Sequence, residues 1–549
     1  MTTELHRAFT SLGKQGPGKQ ESDKQLPPYF LSYSVSDASF VSIRAQYGAL
    51  VDSSANHVRV ADVQVRLGDP KLDNPHGTHR SSAVNSMQLP LGDDREALER
   101  TLWLATNAGY GTALDNYLRV KTEAEVRAKE EDTSPDFSQE APQEHIGKPV
   151  PPVVVDRGAW EQRVRALSKI FREYPEVYQN VVMLTVQNET DYFASSEGSR
   201  VVTPHLQARL MVFAVTRADD GMDLYRSQTF EAETVEGLPA QAELEAAARE
   251  LGKSLEALRV APLTEPFDGP AILSGRAAAV FFHEVLGHRL EGQRQRGDEE
   301  GQTFTKEVGK EVLPTFLSVA DDPTATKYGT TWLSGSYEYD DEGQKARRVE
   351  LIQDGVLKTF LMSRLPIASF SNSNGHGRAQ SGHVPTGRQG NLIVTSTKTV
   401  PEAELRKQLI EEAKKQGKPY GLYFEDISSG FAVTQRSSPQ AFSVVPLVVW
   451  RVYVDGRPDE LVRGVSIVGT PLAAMKKILV TGDKSEVFNG ECGAESGTIP
   501  VSAVAPAMLL SELETQRVQQ GTARPPILPI PGAESAAPAK PASEKKEAQ

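Results

Sequence analysis

Between Tyr29 and Leu67 apolar and polar residues alternate, most cleanly in HVRVADVQVRL at His57–Leu67, where β-branched side chains fill most of the apolar positions. A period of two sends successive side chains to opposite faces of a strand. Tyr29–Val35, Ala38–Gln46 and His57–Leu67 are therefore predicted as antiparallel strands of one half-buried sheet. From Asp93 to Glu130 the period lengthens toward that of a helix, with a Gly-Tyr-Gly interruption around Tyr110. Asp132–Pro152 is charged and proline-rich, which reads as an exposed loop. Ala159–Arg172 and Ala240–Leu258 again carry helical spacing, and between them Val177–Gln187 and Val201–Thr216 read as strands.

In the second half, Arg347–Gln353 and Val356–Met362 flank Asp354-Gly355, a two-residue hairpin signal. Strand character returns at Asn391–Ser396, Ala441–Val454 and Leu461–Val468, and Pro401–Gln416 reads as a helix. The pattern predicts an α+β chain of two domains, 28–261 and 262–519, each a mainly antiparallel sheet flanked by helices. Residues 1–27 are expected to be a flexible leader, and 520–549, rich in Pro, Ala and charge, a disordered tail.

Composition narrows the function classes. With 60 basic and 73 acidic side chains the net charge is −13, and no basic cluster with interleaved aromatics stands out, so a nucleic-acid surface is not expected. No run of about 18 apolar residues marks a membrane span. The polar opening lacks the apolar centre of a signal peptide, which makes the cytoplasm the default compartment.

The apolar run Ala277–Phe282 ends in FFHEVLGHRL at 281–290, which places His283, Glu284 and His288 together. Neutral imidazoles bind zinc, and a carboxylate beside them can take a proton from an activated water. Histidines four residues apart share one helix face, whereas five steps leave the side chains roughly 140° apart on an ideal helix. A helix distorted at Gly287 is needed to bring them back. Two histidines are also one ligand short of the usual catalytic zinc site. The one cysteine, Cys492, lies in NGECGAESG at 489–497, and taken alone it reads first as a small buried hydrophobe. A closed structural zinc would need a fourth protein ligand, and there is no second cysteine to supply it.

HEVLGHRLEG at 283–292, YEYDDEG at 337–343, QDGVLKTFLM at 353–362, NGHGRAQSGHVPTGRQGN at 374–391 and ECGAESGTIPV at 491–501 together resemble the TldD/PmbA family of metallopeptidases, in order and in separation. The resemblance covers most of 265–515 and is loose before it. It implies the motif-bearing, TldD-like subunit, with His283, His288 and Cys492 as zinc ligands and Glu284 as the catalytic glutamate. It further implies hydrolysis of unfolded or flexible peptides, bound in extended form along a strand edge. A dimer is implied as well, of identical chains or with a PmbA-like subunit that lacks the motif. The alternative is a peptide-binding or maturation subunit with little turnover. His376 and His383 are read as loop or substrate residues rather than ligands. Arg378 and Arg388 are candidates for holding a peptide.

Overall fold

The computed structural model describes residues 1–12, 26–77, 84–126, 132–296, 301–435, 442–518, 524–526, 528 and 531. The alternating segments of the first half form a seven-stranded sheet. Its spine runs Val84–Gln88, Ala49–Arg66, Phe30–Gln46, Gln179–Ser195, Arg200–Arg217 and Glu144–Ile146, with Asp223–Ala232 also paired to Arg200–Arg217. Every pairing is antiparallel except that of Glu144–Ile146. The two strands predicted between Tyr29 and Gln46 are one. Ser36 and Asp37 stay on the ladder opposite Val60 and Arg59, and the Asp37 carboxylate accepts from the Arg59 and His57 side chains.

Odd-numbered residues of Phe30–Gln46 (Leu31, Tyr33, Val35, Val41, Ile43) face apolar cores covered by helices α1 (Thr2–Ser11), α2 (Arg95–Val126), α3 (Arg157–Lys169) and α4 (Gln241–Val260). Two sequence expectations are corrected here. The proposed leader holds α1, whose Leu5 and Ala8 are buried in the core beneath α2. Helix α2 runs unbroken through Gly-Tyr-Gly. Tyr110 is buried there and its hydroxyl donates to the Leu26 carbonyl, while a side chain at Gly109 would touch Asn85 and Val65 of the sheet. Those contacts are of ordinary van der Waals length, so neither a helix break nor crowding against the sheet requires that glycine. Most of the remaining leader and of the expected 520–549 tail lies outside the described residues.

A twelve-stranded mixed sheet, all of it within 268–517, forms the second half. Its longest antiparallel pair is Ile478–Ala494 with Gly497–Arg517, and Asp268–Leu273 lies between the latter and Tyr420–Ala432. Helix α5 (Gly275–Val285) packs across these strands, and α6 (Glu402–Lys415) covers a smaller apolar cluster on the other side. Asp354 and Gly355 make the predicted hairpin, both at positive φ (49° and 79°) with Gln353 opposite Val356. The architecture is α+β, with mostly antiparallel sheets.

Buried charge joins the two sheets. Arg296 pairs with Asp136 at 2.8 Å and donates to the carbonyls of Ser134, Pro135 and Pro366. Arg364 forks onto Glu197 and stacks on Phe137. The segment expected as an exposed loop is thus anchored at Asp136–Ser138, all three buried. Arg226–Asp426, Arg463–Asp220 and Arg209–Glu491 add three more links between the halves.

The other face of the first sheet, carrying Ser32, Ser34 and Ser36, lines a cleft of about 1200 Å³ shared with residues of the second half. Glu342 on its far wall is pushed up to about 7, chiefly by burial, with Arg364 pulling it back. The folded chain therefore holds a proton that the unfolded chain releases from 4.5 upward. The resulting stabilisation is present at low pH and is lost as pH rises through about 7. Glu342→Gln is expected to be more stable than wild type at pH 8 by roughly 2 kcal/mol and nearly equal to it at pH 4.5. Calorimetric unfolding of both chains at the two pH values checks this.

Candidate metal centre

Helix α5 begins at Ser274, whose hydroxyl oxygen accepts from the Ala277 amide at 3.1 Å, an ordinary N-cap. Its middle, Ala277–Phe282, is apolar and buried, with Phe281 set edge to face against Phe282 and Phe442. The helix stops at Val285. Gly287–Leu290 then winds as a tighter 3-10 turn, so His288 comes back beside His283 with ring centroids 4.9 Å apart. Gly287 does not work through a left-handed conformation, since its φ is not positive. A Cβ there would lie 1.9 Å from the Gln389 side-chain oxygen, so the glycine makes room for the segment that backs the turn.

Cys492 arrives from the opposite direction, near the tip of the Ile478–Ala494 and Gly497–Arg517 ribbon, where it stands opposite Ile499. Its Sγ lies 3.3 Å from His283 Nε2 and 3.4 Å from His288 Nε2. The three potential ligand atoms fall within 4.8 Å of one another, and all three residues are buried. Such a set of two imidazoles and a thiol can hold a metal ion of the zinc type. Burial pushes the Cys492 thiol up, but His288 and His283 overcome this and hold it well below the usual thiol range. His288 is raised well above an ordinary imidazole against its burial, by Glu291 and then Cys492. A ligand must shed its proton, so the thiol is already poised as a thiolate and the His288 proton is the one a metal would displace. The donor set therefore fits the ion.

Glu284 precedes the helix end, with Oε2 3.8 Å from His288 Nε2. The strand Tyr420–Ala432 passes directly over it. A Cβ at Gly430 would sit 2.7 Å from Glu284 Cγ, so only glycine leaves the carboxylate its place.

Two supporting residues, Glu291 and Gln389, escaped the sequence reading, and a third, Arg388, was expected to hold a peptide instead. Glu291, completely buried, accepts from His288 Nδ1 at 3.1 Å through Oε1, and takes Arg294 Nε at 2.8 Å on Oε2. Burial alone would raise it, yet His288, Arg294 and Arg388 hold it down to about 2. Arg388, also buried, donates to the Cys492 carbonyl at 2.8 Å, to Ser496 and Gly497, and lies 3.5 Å from Glu291. Gln389 backs the Gly287 turn and lies 3.4 Å from the His283 carbonyl. Only Glu291 left a signal in the sequence, a carboxylate three residues after a histidine. His283 has no such support, because its Nδ1 has no partner among the described residues and packing alone orients it.

Both ends of the segment 374–391 are buried (375–378 and 386–391), while Gln380–His383 in its middle are exposed. His376 bonds Asp321 and Asn374, and His383 lines the cleft, so neither joins the metal group. Arg378 donates to the carbonyls of Gln389 and Pro500 and stacks on Tyr337. Both arginines are thus committed to scaffold carbonyls, which corrects the expectation that they hold a peptide.

Residues 267–517 match the family model described as the PmbA/TldA metallopeptidase C-terminal domain. This second half of the chain is similar to the TldD/PmbA family. A TldD homologue from Haemophilus influenzae, named a metalloprotease, is 29% identical over 252 residues, 44% of this chain and 47% of that protein. A homologue from Saccharolobus solfataricus, named a zinc metalloprotease, is 26% identical over 247 residues, 45% of this chain and 51% of its own. The chain spans about half the length of the curated relatives it matches. The solved structure of TldE from Thermococcus kodakarensis shares the fold, with a TM-score of 0.59 at 13% identity over 89% of this chain and 97% of that one. No helix among the described residues is long and apolar enough to cross a membrane.

Glu291→Gln keeps the size of the side chain and removes the charge behind His288. It is expected to weaken zinc binding by about 10–100-fold with the fold intact. Competition with a chromophoric chelator measures that loss.

Proposed function

We propose that the chain is a zinc-dependent peptidase that hydrolyses peptide bonds in unfolded or flexible peptides. In this reading His283, His288 and Cys492 are the ligands and Glu284 is the general base. The observation that carries it is the convergence of two imidazoles and one thiol on a single buried point, with a carboxylate 3.8 Å from one imidazole. Three protein donors are the number typical of catalytic zinc, whereas structural sites use four. Bound zinc supplies Lewis acidity, which polarises a carbonyl oxygen and lowers the pKa of a water toward neutrality.

The chain's own residues do the rest. Glu284 accepts the proton of the attacking water and returns it to the leaving amine nitrogen. Glu291 fixes the His288 tautomer by holding Nδ1, which leaves Nε2 as the donor atom facing Cys492. Arg388 joins the ribbon tip to that carboxylate and keeps thiol and imidazole in register. The proposal extends to a dimer, of identical chains or with a motif-lacking TldE-like subunit, and to the cytoplasm as the compartment.

Cleavage of an unfolded peptide by the zinc-loaded chain tests the reading. Activity should vanish on treatment with a chelator and return with one equivalent of zinc. Undiminished cleavage after complete metal removal, or none from the zinc-loaded chain alone or with a TldE-like partner, overturns it.

A further inference from the structure

The cleft between the two sheets does not include the metal ligands among its walls, although Glu491, next to Cys492, lines it. At about 1200 Å³ it exceeds the roughly 300–1,000 Å³ of small-molecule sites, so it suits a longer ligand. Its lining carries an excess of acid, nine Asp and Glu side chains against Lys327, Lys345, Arg364 and Arg378. Glu189 and Asp191 rise from the strand Gln179–Ser195, and Asp340, Asp341 and Glu342 face them from the second half.

These carboxylates have few cationic partners. Asp340 accepts three backbone amides and Asp341 one, and Glu189 is held by Ser36 and Gln187. The nearest cation to Asp191 is His205 at 3.4 Å. Burial raises Asp191, and the like charges of Glu189 and Asp341 raise it further. The crowding of like charges on this wall is only partly offset by Arg364 and Arg378, and a ligand cation beside Asp191 and Asp341 would relieve it further.

A second, independent feature points the same way. Gln64 lies on the cleft wall, is 9% exposed, and its amide nitrogen has no hydrogen-bond partner among the described residues. A buried donor left unpaired costs about 1–3 kcal/mol, which a ligand carbonyl would recover once the amide, itself inaccessible to solvent, turns toward the cleft. A single metal ion is the wrong occupant. Among the described residues, His283, His288 and Cys492 alone bring three potential ligand atoms within 4.8 Å, so the cleft acids are too spread to chelate one. Spaced carboxylates with an amide donor suit a chain that has spaced cations and carbonyls.

We propose that this cleft binds an extended peptide segment carrying Lys or Arg side chains, and so selects basic stretches of polypeptide. Asp191 and Asp341 receive the cationic groups from opposite walls, and the Gln64 amide donates to a main-chain carbonyl. The peptide character of the ligand rests on the peptidase reading, and the charge preference does not.

Fluorescence anisotropy on the full chain as its Glu284→Gln variant, which should not turn over, measures binding without cleavage. A labelled Lys/Arg-containing peptide should bind at least about tenfold more tightly than the same peptide with Glu in those places, and less tightly at high salt. The double change Asp191→Asn and Asp341→Asn should raise Kd for the basic peptide by about tenfold and leave an uncharged peptide unchanged. Removing two like charges should not unfold the chain, and the salt dependence of the parent chain is an independent readout. Equal affinity for basic and acidic peptides, or binding of the basic peptide indifferent to salt and to the double change, overturns the proposal. Cleavage without charge preference would sink the cleft alone, whereas charge-selective binding with no cleavage by wild type would sink the peptidase reading alone.

Discussion

Replacing Glu284 by glutamine is expected to lower kcat for peptide hydrolysis by about 10²–10⁴-fold, while zinc remains bound at the wild-type stoichiometry. The amide keeps the size of the carboxylate and so preserves the packing under Gly430, where only a glycine fits above Glu284. What it loses is the ability to take a proton. Because Glu284 is not one of the three grouped ligands, metal content should not follow activity. A matching loss of zinc would make Glu284 a ligand, and unchanged kcat would remove it from the chemistry.

The second large effect belongs to Cys492→Ala. The thiol sits between both imidazoles at 3.3 and 3.4 Å, and its loss leaves two donors where catalytic zinc normally has three. Zinc affinity should fall by well over the about 10–100-fold that a missing outer-sphere partner costs. The fold should survive, since the change empties one small space beside Ile499 and Val501, a cost of about 1 kcal/mol. Metal content by mass spectrometry, with circular dichroism as the control for folding, separates the two consequences. Full zinc retention in a folded variant would exclude sulfur from the site.

Much of this was legible in the chain itself. Alternation at His57–Leu67 and the Asp354-Gly355 turn each encode structure within a few residues, so strand and hairpin could be read locally. The five-residue histidine spacing was equally local. It required a bent helix end, and α5 does stop at Val285 before the tighter turn that carries His288. The physical reason for Gly287 was not local, because it is the approach of Gln389 from a hundred residues away. Arg388 was misjudged for the same reason. A charge in a glycine-rich stretch reads as solvated, and nothing near it announces that Cys492, Ser496 and Gly497 will take its donors. The interruption expected at Tyr110 failed because tertiary contact with the sheet outweighs the cost of two helical glycines, about 1 kcal/mol each. The cleft was invisible in the sequence, since its acids come from segments more than a hundred residues apart that meet only when the two sheets face each other.

X-ray absorption at the zinc edge of the metal-loaded chain tests the centre most directly. The account predicts one sulfur neighbour at about 2.3 Å and two imidazole nitrogens at about 2.0–2.1 Å, with the sulfur shell absent from any zinc left in Cys492→Ala. A first shell of nitrogen and oxygen only, in the wild-type protein, would contradict it.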